Sequence, residues 1–259
     1  MNPTAFHNPL RLFLGALAAC LLICGSARAG ERSSWERTGG ASLTGSGNPM
    51  SERRSVAPFQ AVALTGSMTL VLRQAAREAV EVRADDNLLP LIETTVVERK
   101  GVPTLEIGTR RGASYSTRQP IVVSVDVVDL KALSLSGSGD TVAEGLKVGD
   151  LQARIAGSGD LRLQQLSAGS LTVKIAGGGD VMASGRAGKL SISIAGSGDV
   201  AARELEADEV SVSIAGSGDA NVNARTTLRV AIAGSGDVAY SGNPTVETSI
   251  VGSGDVKKQ

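Results

Sequence analysis

The sequence has almost none of the side chains on which most enzymes rely. Of its 259 residues two are cysteine and one is histidine, and all three (His7, Cys20 and Cys24) fall within the first 29. Residues 1–29 read as a secretory signal. Arg11 supplies a charged start, LFLGALAACLLICG an uncharged apolar stretch, and Ala27-Arg28-Ala29 an A-x-A cleavage site before Gly30. The apolar stretch falls short of the ~20 residues that a spanning helix needs. With residues 1–29 removed, the product has no Cys and no His. That excludes a disulfide framework, a thiol nucleophile, a Cys/His zinc site and any histidine-based triad. Leu17-Ala18-Ala19-Cys20 offers a competing route, a lipobox whose lipidation at Cys20 would tie the product to a membrane. It would leave the apolar Leu21-Leu22-Ile23 on the product. A free exported protein, in the periplasm, cell envelope or medium, is therefore the favoured expectation.

Aromatics and charge imbalance are scarce too. Aromatic residues make up 2% of the chain, and beyond residue 29 they are the scattered Trp35, Phe59, Tyr115 and Tyr240. Stacking platforms for bases need several aromatics on one face. The 26 basic residues balance the 26 acidic ones. No basic stripe marks a nucleic-acid partner, and nothing calls for a cofactor.

What the chain has instead is a repeat. KALSLSGSGD, LQARIAGSGD, LTVKIAGGGD, LSISIAGSGD, VSVSIAGSGD, LRVAIAGSGD and VETSIVGSGD recur in the second half and end at Asp140, Asp160, Asp180, Asp199, Asp219, Asp237 and Asp255. A fixed period near ~20 residues with one strand-and-turn phrase per copy is the mark of a solenoid. Alternation puts Leu190, Ile192 and Ile194 on one face and the intervening serines on the other. Stacking in register predicts three inward columns: Leu171/Leu190/Val210/Leu228, Val173/Ile192/Val212/Val230 and Ile175/Ile194/Ile214/Ile232. Such aliphatic ladders build a core without aromatics. A second short strand follows each corner, as in Leu161–Leu163. Polar turns such as Ser167–Ser170, Gly185–Lys189, Glu206–Glu209 and Gly242–Thr245 are expected to close each coil. The expected fold is an all-β parallel solenoid of ~18–20-residue coils, right-handed by the crossover rule. Seven stacked coils would make a rod of roughly 34 Å.

The expected organisation is a signal at 1–29, a flexible Gly/Ser/Thr/Arg-rich lead-in at 30–55, an irregular β region at 56–130 continuous with the solenoid, and the regular array at 131–259. Gly45-Ser46-Gly47-Asn48 and Thr65-Gly66-Ser67 read as worn copies of the corner. Asp86–Ile92 reads as a short helical turn with an Asp/Asn cap. Thr94–Glu98 and Thr104–Ile107 read as strands around a turn at Lys100–Pro103, and Ile121–Val128 as a further strand.

Phe59-Gln60-Ala61-Val62-Ala63-Leu64-Thr65-Gly66-Ser67, Asp86-Asn87-Leu88-Leu89 and the Gly-Ser-Gly-Asp copies resemble the bacterial putative auto-transporter adhesin, head GIN domain family, from about Val56 onward. The resemblance implies an exported β-solenoid-like domain and brings no established activity with it. The sequence given runs only four residues past Asp255, too few for a membrane β-barrel within it.

Three features are candidates for function. The aspartate column would place seven carboxylates one strand spacing apart, where they must be hydrogen-bonded or share cations. Calcium suits an oxygen-only site, but calcium β-roll repeats follow G-G-x-G-x-D at a much shorter period. The favoured reading is structural, each Asp accepting backbone N–H groups at its own corner while the glycines supply positive φ. The corner serines (Ser138, Ser158, Ser197, Ser217, Ser235 and Ser253) resemble a nucleophile column, but Gly178 replaces one and no base is available. The polar segment Gly108–Gln119, with Tyr115 among Arg110, Arg111 and Arg118, is the candidate recognition loop for an anionic or glycan surface.

The expected function is a non-catalytic, adhesin-like surface or envelope module whose partner is a glycan or a protein. The alternatives are a calcium-stabilised scaffold and a carbohydrate-active β-helix enzyme. The uniformly short turns leave no wall for the cleft that such an enzyme needs. Lys257 and Lys258 are expected to blunt the terminal edge against strand addition. Self-association through the solenoid ends is the competing expectation there.

Overall fold

The computed structural model describes residues 42–259. The signal-like segment with its Cys20 lipobox, and the lead-in as far as residue 41, lie outside the described residues. The first nine strands are β1 (Ser42–Thr44), β2 (Pro49–Arg54), β3 (Ala61–Gly66), β4 (Thr69–Gln74), β5 (Ala79–Asp85), β6 (Ile92–Arg99), β7 (Val102–Thr109), β8 (Ser114–Ser116) and β9 (Val122–Val127). The array follows as β10 (Ala132–Gly137), β11 (Thr141–Glu144), β12 (Lys147–Gly157), β13 (Leu161–Gly177), β14 (Val181–Gly196), β15 (Val200–Gly216), β16 (Ala220–Gly234), β17 (Val238–Ser241), β18 (Thr245–Gly252) and β19 (Val256–Lys258). From β10 onward every pairing between successive coils is parallel, and the fold is a β-solenoid.

The inward columns lie in register as their alternation predicts. Leu171 pairs with Leu190, Leu190 with Val210 and Val210 with Leu228, and the two columns beside them follow the same path. All twelve side chains are buried. Burying one such aliphatic side chain contributes roughly 1.5–3 kcal/mol. Identical shapes stacked at strand spacing therefore provide the core that the missing aromatics do not.

Gly242–Thr245 is a turn between β17 and β18, but the earlier polar segments between coils are more ordered than turns. Ser167 pairs with Arg186 and Arg186 with Glu206, so this stretch is a third hydrogen-bonded face inside the long strands β13, β14 and β15. Its inward positions include Leu166 and Leu205 at its start and then Ala187, Ala207 and Ala224, all buried. The alanines are small enough to sit near a bend, and their polar neighbours hide the alternation.

The first coil departs from chain order. β3 pairs in parallel with β10 on one side and β7 on the other, and β4 likewise with β11 and β9. The coil made first thus lies inside the stack, and the chain passes around it before starting the array. Antiparallel partners close this end: β6 on β7, and β5 on β9 with β2 beyond it. The β6–β7 hairpin turns at Lys100 and Gly101, both with positive φ (52° and 78°), which matches a two-residue turn.

Residues 42–54, read as part of a flexible lead-in, form β1 on β8 and β2 on β5. β2 is an almost wholly exposed edge strand, so no apolar alternation betrays it. The turn Gly45–Asn48 also differs from the corners it resembles, because Gly47 rather than its first glycine carries the positive φ. Thr65-Gly66-Ser67 is a true corner, with Gly66 in register with Gly137.

Candidate functional site

The Gly-Ser-Gly-Asp corners are built by backbone proximity. Their first glycines, from Gly137 to Gly252, have φ between +114° and +143°. A Cβ on Gly198, the third corner position, would sit 2.2 Å from the carbonyl oxygen of Gly179 in the preceding coil. Glycine is thus required by stacking as well as by conformation. Gly178, which stands where the other corners have Ser, has open space around it. That is why the position tolerates either residue.

Six of the seven corner aspartates, Asp140 to Asp237, reach the next coil rather than their own turn. The Asp160 N–H donates to Asp140 Oδ1 (3.1 Å), Asp180 to Asp160 (3.2 Å), Asp199 to Asp180 (2.9 Å), Asp219 to Asp199 (2.7 Å), Asp237 to Asp219 (2.7 Å) and Asp255 to Asp237 (2.9 Å). The aspartate carbonyl accepts in turn from the residue after the previous corner, as from Val181 to Asp199 at 2.9 Å. Only Asp255 accepts from its own corner, through the Val256 N–H at 2.7 Å. Lys257 lies 2.9 Å from its other oxygen, and that contact first, then Val256, holds the Asp255 carboxyl below its ordinary value. The expectation of own-corner bonds is therefore corrected for the other six. The reason is geometric: a carboxylate at a stacked corner lies one strand spacing from the next N–H, whose partner would otherwise be water. Among the described residues no three acidic side chains gather as a metal site would require.

The segment Gly108–Gln119 is largely tied down. Arg110 donates to the Pro90 carbonyl (2.9 Å) and pairs with Glu93 (3.4 Å). Tyr115 lies in β8, half-buried against the core, while Arg111 and Arg118 are exposed. The structure thus spreads these four residues over a braced segment rather than gathering them.

One buried site escaped the sequence reading. Asp85 is 1% exposed, and its Oδ2 accepts from Thr117 Oγ1 at 2.7 Å. Gly45 packs so close that a Cβ there would meet this oxygen at 1.9 Å. Beside it, Ser46 donates to Asp86, and the Asn87 N–H donates to the same carboxylate at 2.7 Å. These two bonds, Ser46 first, hold Asp86 below the ordinary carboxylate range. Asp86 and Asn87 therefore fasten the Gly45–Asn48 turn and do not cap a helix. The 3-10 turn Leu89–Leu91 has Leu88 at its N-cap, with no side-chain bond.

A broad concavity lies on the outer face of the first sheet. Ala61 and Ala63 of β3 pair with Ala132 and Ser134 of β10, all small, between banks of longer side chains, with Ala61 and its neighbour Thr104 buried on the hairpin side. One bank is the Arg99–Glu106 pair of the β6–β7 hairpin, and the other is Gln152 and Arg154 of β12. Together they form a groove of about 890 Å³, with Lys100, Asp129, Lys131 and Asp150 at its margins.

Residues 58–244 match the family model described as putative auto-transporter adhesin, head GIN domain. The chain belongs to this family. Among solved structures, the head GIN domain here is similar to a putative lipid binding protein from Parabacteroides distasonis, at 26% identity and TM-score 0.70, covering 85% of this chain and all of that one. It is also similar to a putative adhesin from Bacteroides fragilis, at 24% identity and TM-score 0.74, covering 84% and 100%. A second P. distasonis protein, again a putative adhesin, shares 26% identity with a TM-score of 0.67, covering 85% and 100%. No curated protein matches. Two of these relatives are named as putative adhesins and one as a putative lipid binding protein.

Proposed function

We propose that this head GIN domain is an exported, non-catalytic interaction module that works through the outer faces of its solenoid. The observation that carries this reading is how the most repeated chemical group is used. The corner carboxylates are engaged in bonds between coils, so the motif with the most obvious chemistry is occupied in holding the stack together. What remains for partners is the regular outer surface and the groove beside the hairpin. The naming of the relatives as adhesins or binding proteins supports the same reading. Export follows from the signal-like residues 1–29, whose removal would release the product outside the cytoplasm.

The test is retention of the purified protein, begun at Gly30, on whole cells and isolated envelopes, with a similarly charged unrelated protein as the control. Saturable retention above the control is the expected result. Retention equal to the control would overturn the reading.

A further inference from the structure

We propose that the groove over Ala61, Ala63, Ala132 and Ser134 binds an extended acidic polysaccharide, a reading that rests on the surface-interaction function above and names its ligand class. The groove exists because four neighbouring positions are small while both banks are long. In register, Thr104, Ala61, Ala132 and Gln152 form one row across β7, β3, β10 and β12, and Glu106, Ala63, Ser134 and Arg154 form the next. Four strands span roughly 14 Å at ordinary strand spacing. The volume of about 890 Å³ is in the range of ligand-binding clefts.

Its lining carries a small excess of positive charge. Arg99, Lys100, Lys131 and Arg154 line it against Asp129 and Asp150. Arg99 is neutralised by Glu106, and Asp150 accepts from Ser170 Oγ. Lys131 reaches only the Gln60 amide oxygen (3.0 Å), and Arg154 only the Gln152 amide oxygen (3.1 Å). Among the described residues, Lys100, Lys131 and Arg154 join no ion pair. Three cations in no ion pair therefore stand around a floor of methyl groups and one hydroxyl, against the carboxylates of Asp129 and Asp150, which likewise join no ion pair among the described residues and leave a net excess of one positive charge.

The form of the groove narrows the class. Its lining holds no aromatic ring on which a neutral sugar would stack. It lies on the outer face of a sheet, along strands β7, β3, β10 and β12. Cations spaced along a groove match a ligand whose carboxylates or sulfates are also spaced along its length. Uronate-containing and sulfated polysaccharides have that chemistry.

The experiment measures binding of the protein begun at Gly30 to fluorescently labelled polygalacturonate and heparin-derived oligosaccharides. Neutral dextran oligosaccharides and phosphatidylglycerol vesicles serve as comparison probes. Wild type is expected to bind at least one acidic oligosaccharide, with affinity falling as salt rises, and to ignore dextran. The triple variant Lys100→Ala, Lys131→Ala and Arg154→Ala should bind at least tenfold more weakly. A charge-matched control, Arg186→Ala with Arg203→Ala and Arg225→Ala, should change binding less than twofold. Ala132→Phe fills the floor without altering charge and should weaken binding at least fivefold at an unchanged melting temperature. Equal losses in the two triple variants, wild-type affinity in Ala132→Phe, binding to vesicles alone, or no wild-type binding to acidic oligosaccharides would each overturn the proposal. Envelope retention without oligosaccharide binding would sink the groove and leave the interaction reading standing.

Discussion

The two halves of this solenoid use the same coil under different constraints. In residues 131–259 each coil lies on the one before it, and every corner from Gly157 onward meets the backbone of another Gly-x-Gly-Asp corner. In residues 42–130 the coil of β3 and β4 lies between segments that come later in the chain, and antiparallel strands finish that end. The comparison teaches that the glycines answer to their neighbours as much as to the turn. Met68 stands in the β3–β4 corner where Gly139 stands in the next, and it is fully buried. Gly139 has no such freedom, because a Cβ would lie 2.4 Å from the Met68 carbonyl oxygen. Repetition thus buys regularity at the cost of tolerance.

The sharpest way to break the comparison is to add one methyl group to equivalent corners. Gly196→Ala combines a φ of +142° with a contact of 2.2 Å to the Gly177 carbonyl oxygen. It should cost more than about 4 kcal/mol or prevent folding. Gly66→Ala has similar strain, at φ +115°, but its nearest contact is Met68 Cε at 3.9 Å. It should cost about 1–3 kcal/mol. Thermal melting of both proteins checks this, and equal losses would erase the distinction between the halves.

Within the array, Ile192→Ala should cost about 2–5 kcal/mol, because its rigid stacked neighbours cannot collapse into the space. Val97→Ala, on the half-open edge strand β6, should cost less than about 1 kcal/mol. Denaturant titration measures both. Gly178→Ser should be near neutral, within about 0.5 kcal/mol, since it restores the residue of the other corners where space is open.

The smallest effect is on pH. Asp86 has a folded pKa depressed by Ser46 and Asn87. Its contribution is therefore present above the unfolded value of about 3.9 and is lost as pH falls through the lower folded value. Amide exchange around Gly45–Asn48 should quicken in that acid window in wild type. In Asp86→Asn it should depend less on pH. Identical pH profiles would contradict the assignment.

The array was legible because its inward residues alternate strictly and its corners recur. Leu190, Ile192 and Ile194 declare their face and their register without help from any other part of the chain. The placement of β3 between β7 and β10 was not legible, since parallel neighbours are chosen by which edge is free rather than by local pattern. The third face was hidden because, past Leu166 and Leu205, its buried positions are alanines among polar and charged residues. The partner of each corner carboxylate was also out of reach. A Gly-Asp turn serves equally well for a bond within one corner or between two, and only the stacking distance decides. Of the candidate site, the cations of the groove were visible as residues. Their convergence depends on strands more than 50 positions apart, and on four small side chains that carry no chemistry of their own.

The central claim is that the repeated aspartates are rungs between coils. Equilibrium unfolding of Asp199→Ala and Asp199→Asn, each with and without EDTA, tests it most directly. Asp199→Ala leaves the Asp219 N–H without its acceptor and should lose about 1–2 kcal/mol. Asp199→Asn keeps an acceptor oxygen and should stay within about 0.5 kcal/mol of wild type, with EDTA changing none of the three proteins. An unchanged Asp199→Ala, or a wild type that EDTA destabilises to the level of the variant, would contradict the account.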